Sequence, residues 1–170
     1  MTALVGTRFK MNYEINKCIT EHWACPRPHG KYVEVFPPTF LQRLEALIGP
    51  WTNKKILHLF CGSSKFGDVR IDTNREVKPD YVLDLNRDKL PFEDCTFDLV
   101  IADPPYHDFK PYSFVKEAVR VLKPLGFLVI LHFLVYTTPK ECERWACISV
   151  GCGPNTRMRT LNIFRKNFSL

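Results

Sequence analysis

No run of apolar residues comes near the ~18 that a membrane-crossing helix needs. The longest, from Phe127 to Tyr136, is broken by His132. The first residues, Met1-Thr2-Ala3-Leu4-Val5-Gly6-Thr7-Arg8, lack the charged segment, apolar run and cleavage site of a secretory leader, so a soluble cytoplasmic protein with no membrane partner is expected. Seven cysteines, an odd number, do not close into a disulfide framework and are read as reduced thiols. There is no internal repeat and no low-complexity tract. What is present is ordinary for a folded domain: 45% hydrophobic and 25% charged residues in 170, room for a single core. The net charge of +6 is unevenly placed, at +4 over residues 1–55, −4 over 56–110 and +6 over 111–170. Two basic ends around an acidic middle point to an anionic partner.

Residues 1–38 carry Pro26, Pro28, Pro37 and Pro38 and no periodic apolar pattern, which reads as an arm or lid; residues 39–170 read as the domain proper. Thr39 with Gln42 three residues on forms a capping box before a helix whose apolar face is Phe40, Leu41, Leu44, Leu47 and Ile48, stopped by Gly49-Pro50. From Lys55 onward the text changes to short apolar runs of the kind shown by buried parallel strands: 56–60, 69–71, 81–83, 97–102 and 127–135. A helix opened by Ser113 and ended by Pro124-Leu125-Gly126 separates the last two. A second capping box, Thr138-Pro139-Lys140-Glu141, predicts a helix through Trp145. Strands near 148–150 and over 160–164 follow, joined by a turn at Gly153-Pro154-Asn155. Alternating strands and helices indicate an α/β layer fold with a mostly parallel sheet.

In such a sheet the ligand sits at the carboxyl ends of the strands. Phe60-Cys61-Gly62 follows the first buried strand, Asp72 the second, Asp84-Leu85 the third, and Asp103-Pro104-Pro105-Tyr106 the fourth. An acid at Asp72 suits a bidentate grip on ribose hydroxyls. Asp84 beside Leu85 suits the amino edge and the face of an adenine. The tetrapeptide is the most specific of the four. An exocyclic amine on a base is a poor nucleophile because its lone pair is delocalised, and the Asp103 carboxylate with the Pro104 carbonyl can accept its two hydrogens and orient it. Two prolines hold those acceptors in place. Tyr106 offers a ring on which an extruded base can stack.

With these residues in order the sequence resembles the class I S-adenosylmethionine-dependent methyltransferases of the amino-methylating type, similar to DNA adenine-N6 enzymes. The likeness runs over roughly residues 36–166. It includes Phe36-Pro37-Pro38-Thr39-Phe40, Leu57-His58-Leu59-Phe60-Cys61-Gly62, Ile71-Asp72, Asp84-Leu85, Leu90-Pro91-Phe92, Phe97-Asp98-Leu99-Val100, the Asp-Pro-Pro-Tyr signature and Val121-Leu122-Lys123-Pro124-Leu125-Gly126. It implies a doubly wound Rossmann-like α/β domain with a mostly parallel seven-stranded sheet and an antiparallel C-terminal strand. It further implies that Pro38, Thr39, Phe40, Phe60, Cys61, Gly62, Asp72, Asp84 and Leu85 hold S-adenosylmethionine, and that Asp103, Pro104, Pro105 and Tyr106 carry the catalysis. The implied reaction is methylation of a nucleobase amine, first of all adenine N6 in DNA. An RNA base, adenine N6 or guanine N2, is the second reading, and a non-catalytic subunit of the same fold the third.

Two departures from the family pattern stand out. Only residues 63–68 separate the first two strands, too few for a crossover helix, so the first crossover is expected to be a shortened loop. No segment remains for a target-recognition domain, so a protein partner supplying recognition is a candidate. Cys18, His22, Cys25 and His29 are each competent zinc ligands, but their spacing is not a common finger pattern, and no metal is expected. Trp23 and Tyr32 among Arg27, His29 and Lys31 suit either stacking on bases or packing of the arm. Arg157, Arg159, Arg165 and Lys166 suit either phosphate neutralisation or a solvated basic face. No Pro-Cys dipeptide of the sort used for carbon methylation of cytosine is present, so Cys61 reads as a small filler. His58 and His132 read as satisfied core histidines, and His107 as a substrate contact.

Overall fold

A computed structural model describes residues 18–25, 36–37, 39–106, 110, 112–152 and 158–168. The strands are β1 (Ile19–Ala24), β2 (Ile56–Leu59), β3 (Val69–Asp72), β4 (Tyr81–Val82), β5 (Phe97–Ala102), β6 (Leu122–His132), β7 (Cys142–Gly151) and β8 (Arg159–Lys166), with helices α1 (Phe40–Ile48) and α2 (Val115–Val121). They form one sheet in the order β1-β7-β8-β6-β5-β2-β3-β4. Every neighbouring pair is parallel except those made by β8, which runs antiparallel to both β6 and β7. This is the expected α/β architecture with one strand more than the seven expected.

The central strands are apolar on both faces because both faces are covered. Along β5 the side chains alternate. Val100 and Ala102 pack with Leu57, Leu59, Leu128 and Ile130 against Ala118 and Val121 of α2. Leu99 and Ile101 pack with Ile56, Val129, Ile148 and Leu161 against Phe40 and Leu44 of α1. The sheet order reverses between β2 and β5, which places the crevice for a ligand beyond the carboxyl ends of those two strands.

Several sequence expectations need correction. The helix expected from Thr138 through Trp145 is absent; Cys142 onward is β7, whose second half buries Ala146, Ile148 and Val150 on one face with a period of two. The extra strand, β1, lies inside the segment read as an arm and pairs in parallel with β7 from Ile19↔Ala146 to Ala24↔Gly151. Thr39 does not cap α1 with its side chain. It sits at φ 67, and α1 begins instead with the Phe40 amide donating to the Pro37 carbonyl at 3.0 Å. The expected helix stop at Pro124-Leu125-Gly126 lies within β6, where the pairing with β5 shifts register between Phe97 and Leu99 and Leu125 takes φ 64. β6 ends at His132, earlier than the expected 135. The shortened first crossover is as expected: no helix lies between Leu59 and Val69. The Gly153-Pro154-Asn155 turn, Pro38, His29, Tyr32, His107 and Arg157 lie outside the described residues.

Candidate active site at the carboxyl ends of the strands

The parallel register sets the site. Leu59 of β2 is paired with Ala102 of β5, so the next residues, Phe60 and Asp103, emerge side by side. Leu59 is also paired with Ile71 of β3, which brings the turn after β2 alongside Asp72. Phe60 turns the chain at φ 56 and Gly62 at φ 49, and the Cys61 amide donates to the Ile71 carbonyl at 3.0 Å. The Gly62 amide donates to Asp72 Oδ2 at 2.8 Å, and the Asn74 amide donates to Asp72 Oδ1 at 2.9 Å. Each carboxylate oxygen of Asp72 thus accepts one backbone N–H, and each has a second lone pair for a hydroxyl donor. Cys61 is fully buried, and burial pushes its thiol up to about 11, which fits a neutral filler.

The turn after β4 is built from its own side chains. The Asp84 amide donates to Asp88 Oδ2 at 2.8 Å, and Asp84 Oδ1 accepts from the Asn86 amide at 3.0 Å. Leu85 is buried in the core layer under α2, as part of the wall beneath this turn. Asn86, which sequence reasoning passed over, bridges to the segment after β5: its Oδ1 accepts from the Lys110 amide at 3.0 Å and from Ser113 Oγ at 3.4 Å. No local motif marks it, because its partners lie more than 20 residues away.

Asp103 ends β5 with its carboxylate half-buried. Arg159 Nη1 pairs with Asp103 Oδ2 at 3.2 Å, and the Tyr106 hydroxyl donates to Asp103 Oδ1 at 3.3 Å. The Tyr106 ring is 40% exposed and lies 4.1 Å from the Phe133 ring and 5.4 Å from His132. Burial first, and the Asp103 charge second, raise the Tyr106 hydroxyl above its ordinary value, so it stays protonated. His132 is buried and lowered by that burial; the Leu134 amide donates to its Nδ1 at 3.2 Å, and its ring also bonds the Pro105 backbone. A run of ring contacts connects the turn after β2 to the tetrapeptide: Phe60 to Phe114 at 5.2 Å, Phe114 to Tyr136 at 6.4 Å, Tyr136 to His132 at 5.7 Å and His132 to Tyr106.

The structure therefore brings Phe60, Cys61, Gly62, Asp72, Asp103, Pro104, Pro105 and Tyr106 to one edge of the sheet, with Asp84 and Leu85 on the adjoining turn. Phe40 is fully buried against Trp23 and Phe36 in the other core layer, and Thr39 beside it is exposed. Sequence reasoning missed Arg159, Phe133 and Asn86 as members of the site. Of the basic C-terminal residues, Arg159 pairs with Asp103, Lys166 donates to the Val119 and Leu122 carbonyls at 2.8 and 2.7 Å, and Arg165 lies over the rings of Trp145 and Phe127. Trp23 is buried, which fits packing of the N-terminal segment. Cys18, His22 and Cys25 are spread along β1, and among the described residues no three His, Cys, Asp or Glu side chains are grouped to hold a metal ion. No helix among the described residues is long and apolar enough to cross a membrane.

Comparison with known proteins agrees with this fold. Residues 68–130 match the family model described as a methyltransferase domain. A structure of S-adenosylmethionine-dependent methyltransferases from Methanosarcina mazei aligns with a TM-score of 0.57 at 15% identity, over 81% of this chain and 100% of that one. A second such enzyme, from Aquifex aeolicus, aligns at 0.52 and 16% identity, over 76% and 93%. The 1,6-didemethyltoxoflavin-N1-methyltransferase of Burkholderia thailandensis, solved with S-adenosylhomocysteine, aligns at 0.51 and 10% identity, over 68% and 72%. No curated protein matches the sequence.

Proposed function

We propose that this chain, a methyltransferase of the S-adenosylmethionine-dependent fold, transfers a methyl group to an exocyclic amine of a nucleobase, with adenine N6 in DNA as the target. The observation that carries the proposal is the placement of Asp103-Pro104-Pro105-Tyr106 at the end of β5, directly beside the Phe60-Cys61-Gly62 turn.

The residues along the crevice fit the cofactor. Asp72 presents acceptors suited to ribose hydroxyls, Asp84 an acceptor for an adenine amine, and Phe60 with Phe114 an apolar wall. When bound, S-adenosylmethionine supplies a methyl carbon attached to a positively charged sulfur, whose leaving group is a neutral thioether. At the other side of the crevice the Asp103 carboxylate and the Pro104 carbonyl each accept one hydrogen of the target amine. Those two bonds turn the nitrogen lone pair out of conjugation and toward the methyl carbon, and they stabilise positive charge as it grows on nitrogen. The sulfur of the bound cofactor would keep the electron pair of its bond to the methyl group, and the surplus proton of the methylated amine, held by the Asp103 carboxylate and the Pro104 carbonyl, would leave to solvent. Tyr106 presents a ring to the extruded base. In this reading a protein partner or the shape of the nucleic acid contributes to the choice of site.

Labelled methyl transfer to single-stranded DNA, duplex DNA and total RNA in parallel, each digested to nucleosides for mass analysis, tests this reading. N6-methyldeoxyadenosine is the expected product. Label only in RNA moves the substrate to an RNA base, and no label in any pool, with cofactor binding intact, overturns the reading. Asp103→Ala is expected to abolish transfer and retain cofactor binding; an active variant contradicts the proposed role of the carboxylate.

A further inference from the structure

Asp103 also takes part in an ion pair that the proposed methyl transfer does not use. Arg159, the first residue of β8, reaches across to a residue 56 positions earlier in the chain. Its Nη1 donates to Asp103 Oδ2 at 3.2 Å and to the Tyr106 hydroxyl at 3.3 Å, while that hydroxyl donates to Asp103 Oδ1. The three groups close a ring of hydrogen bonds. Both partners of the ion pair are largely withdrawn from water, with side chains 16% and 17% exposed, so the pair does not belong with exposed surface bridges of negligible effect. A planar guanidinium is suited to such a site because its donors diverge at fixed angles and it stays charged throughout the working pH range.

We propose that Arg159 is a positioning residue of the methyl-transfer site, locking Asp103 and Tyr106 together so that the amine acceptor and the base-stacking ring move as one unit. This rests on the reading of Asp103 as the amine acceptor. Asp103 must be ionised to accept from an amine; protonated, it becomes a donor toward a nitrogen that has to give up its lone pair. The guanidinium favours the ionised form and fixes which oxygen faces β8. The one hydroxyl proton of Tyr106 is committed to Asp103, so Tyr106 presents its ring rather than a donor to a base. Among the described residues, Asp103 faces Arg159 from β8 and Tyr106 from its own loop, besides further contacts; His132 of β6 sits behind through the Pro105 backbone, and Cys152 lies beyond Arg159, its Sγ 3.9 Å from Nη2. Arg159 is accordingly a component of the site and not a ligand of substrate phosphates.

The test compares wild type with Arg159→Met and Arg159→Lys. In Arg159→Met, kcat is expected to fall about 100-fold, the effect of misplacing a reacting group by about 1 Å, with cofactor affinity unchanged. The acid limb of its pH–rate profile is expected to move up. Arg159→Lys restores the charge without the fork and is expected to recover the acid limb but only part of kcat. A folded Arg159→Met protein with wild-type kcat and acid limb overturns the proposal. If Arg159→Met does not fold, Arg159→Lys with wild-type kcat overturns it instead. A carbon-13 titration of the Asp103 carboxyl, assigned with Asp103→Asn, separates this inference from the reading of function. If wild type methylates no nucleobase, the proposed reaction falls. A raised Asp103 midpoint in Arg159→Met, or in Arg159→Gln where the methionine variant does not fold, then still upholds the lock, and an unchanged midpoint overturns it.

Discussion

His58 shows how a single side chain can set the pH response of the fold. It is 1% exposed in β2, stacked on Phe36 with centroids 5.1 Å apart, and bonded through Nδ1 to the Phe66 carbonyl at 3.0 Å. Burial lowers its pKa from 6.5 to about 4, so it is neutral in the folded protein. The unfolded chain takes up its proton first as the pH falls. Stability due to this group is therefore complete above pH 6.5, falls as the pH drops from 6.5 to about 4, and levels off below that. The full loss amounts to about 3 kcal/mol. His132, lowered by burial in the same direction, adds to it. Denaturant titrations of His58→Gln should show lower stability at pH 7 but a shallower fall between pH 6.5 and 4; an unchanged slope would mean that His58 does not drive the pH response.

At the scale of the elements, β6 is under the closest steric control at Gly126. A Cβ there would lie 2.8 Å from the Asp98 carbonyl and 2.9 Å from the Lys123 carbonyl, both backbone atoms that cannot swing aside. Gly126→Ala is expected to destabilise by about 1–3 kcal/mol, read as a lower denaturation midpoint, and a neutral result would show that the β5–β6 register can shift freely. The elements also show what the sequence could disclose. β2, β5 and the end of β6 were legible because a strand covered on both faces needs a run of apolar residues, and Ile56-Leu57-His58-Leu59 and Leu99-Val100-Ile101-Ala102 are such runs. The acids after β3, β4 and β5 were legible because the ends of parallel strands are where ligands sit. β7 was misread because Thr138-Pro139-Lys140-Glu141 is a local helix signal, whereas the alternation of Ala146, Ile148 and Val150 has meaning only beside β8 and β1. β1 was missed because an edge strand buries one face weakly: of Ile19–Ala24 only Trp23 is buried. The sequence leaves Arg159 either a phosphate-neutralising cation or part of a solvated basic face, because its partner, Asp103, is close only in three dimensions.

At the scale of the molecule, β1 is anchored to the rest by Trp23. Its ring packs edge-on against Phe40 of α1 at 6.1 Å, and its Nε1 donates to Glu21 at 2.9 Å. β1 is thereby part of the same core layer that supports β7 and β8. Trp23→Ala is expected to lower stability by about 3–5 kcal/mol, measured by denaturant unfolding, with methyl transfer retained in the remaining folded fraction. A change of a few tenths of a kcal/mol would instead mean that β1 is an appendage whose loss the sheet tolerates.

The position of β8 has a consequence for how the molecule comes into being. The strand made after all the others is inserted between two made before it, and without it β7 and β1 have no hydrogen-bonded connection to β6. A nascent chain can pair β2 with β3 and β5 with β6 as they emerge, but β1 and β7 join that sheet only with residues 159–166. The same strand delivers Arg159 to Asp103, so completion of the sheet and completion of the proposed site are a single event. A ribosome that stalls before that point releases a chain with an open sheet edge, exposed to aggregation and proteolysis, and with the proposed site incomplete.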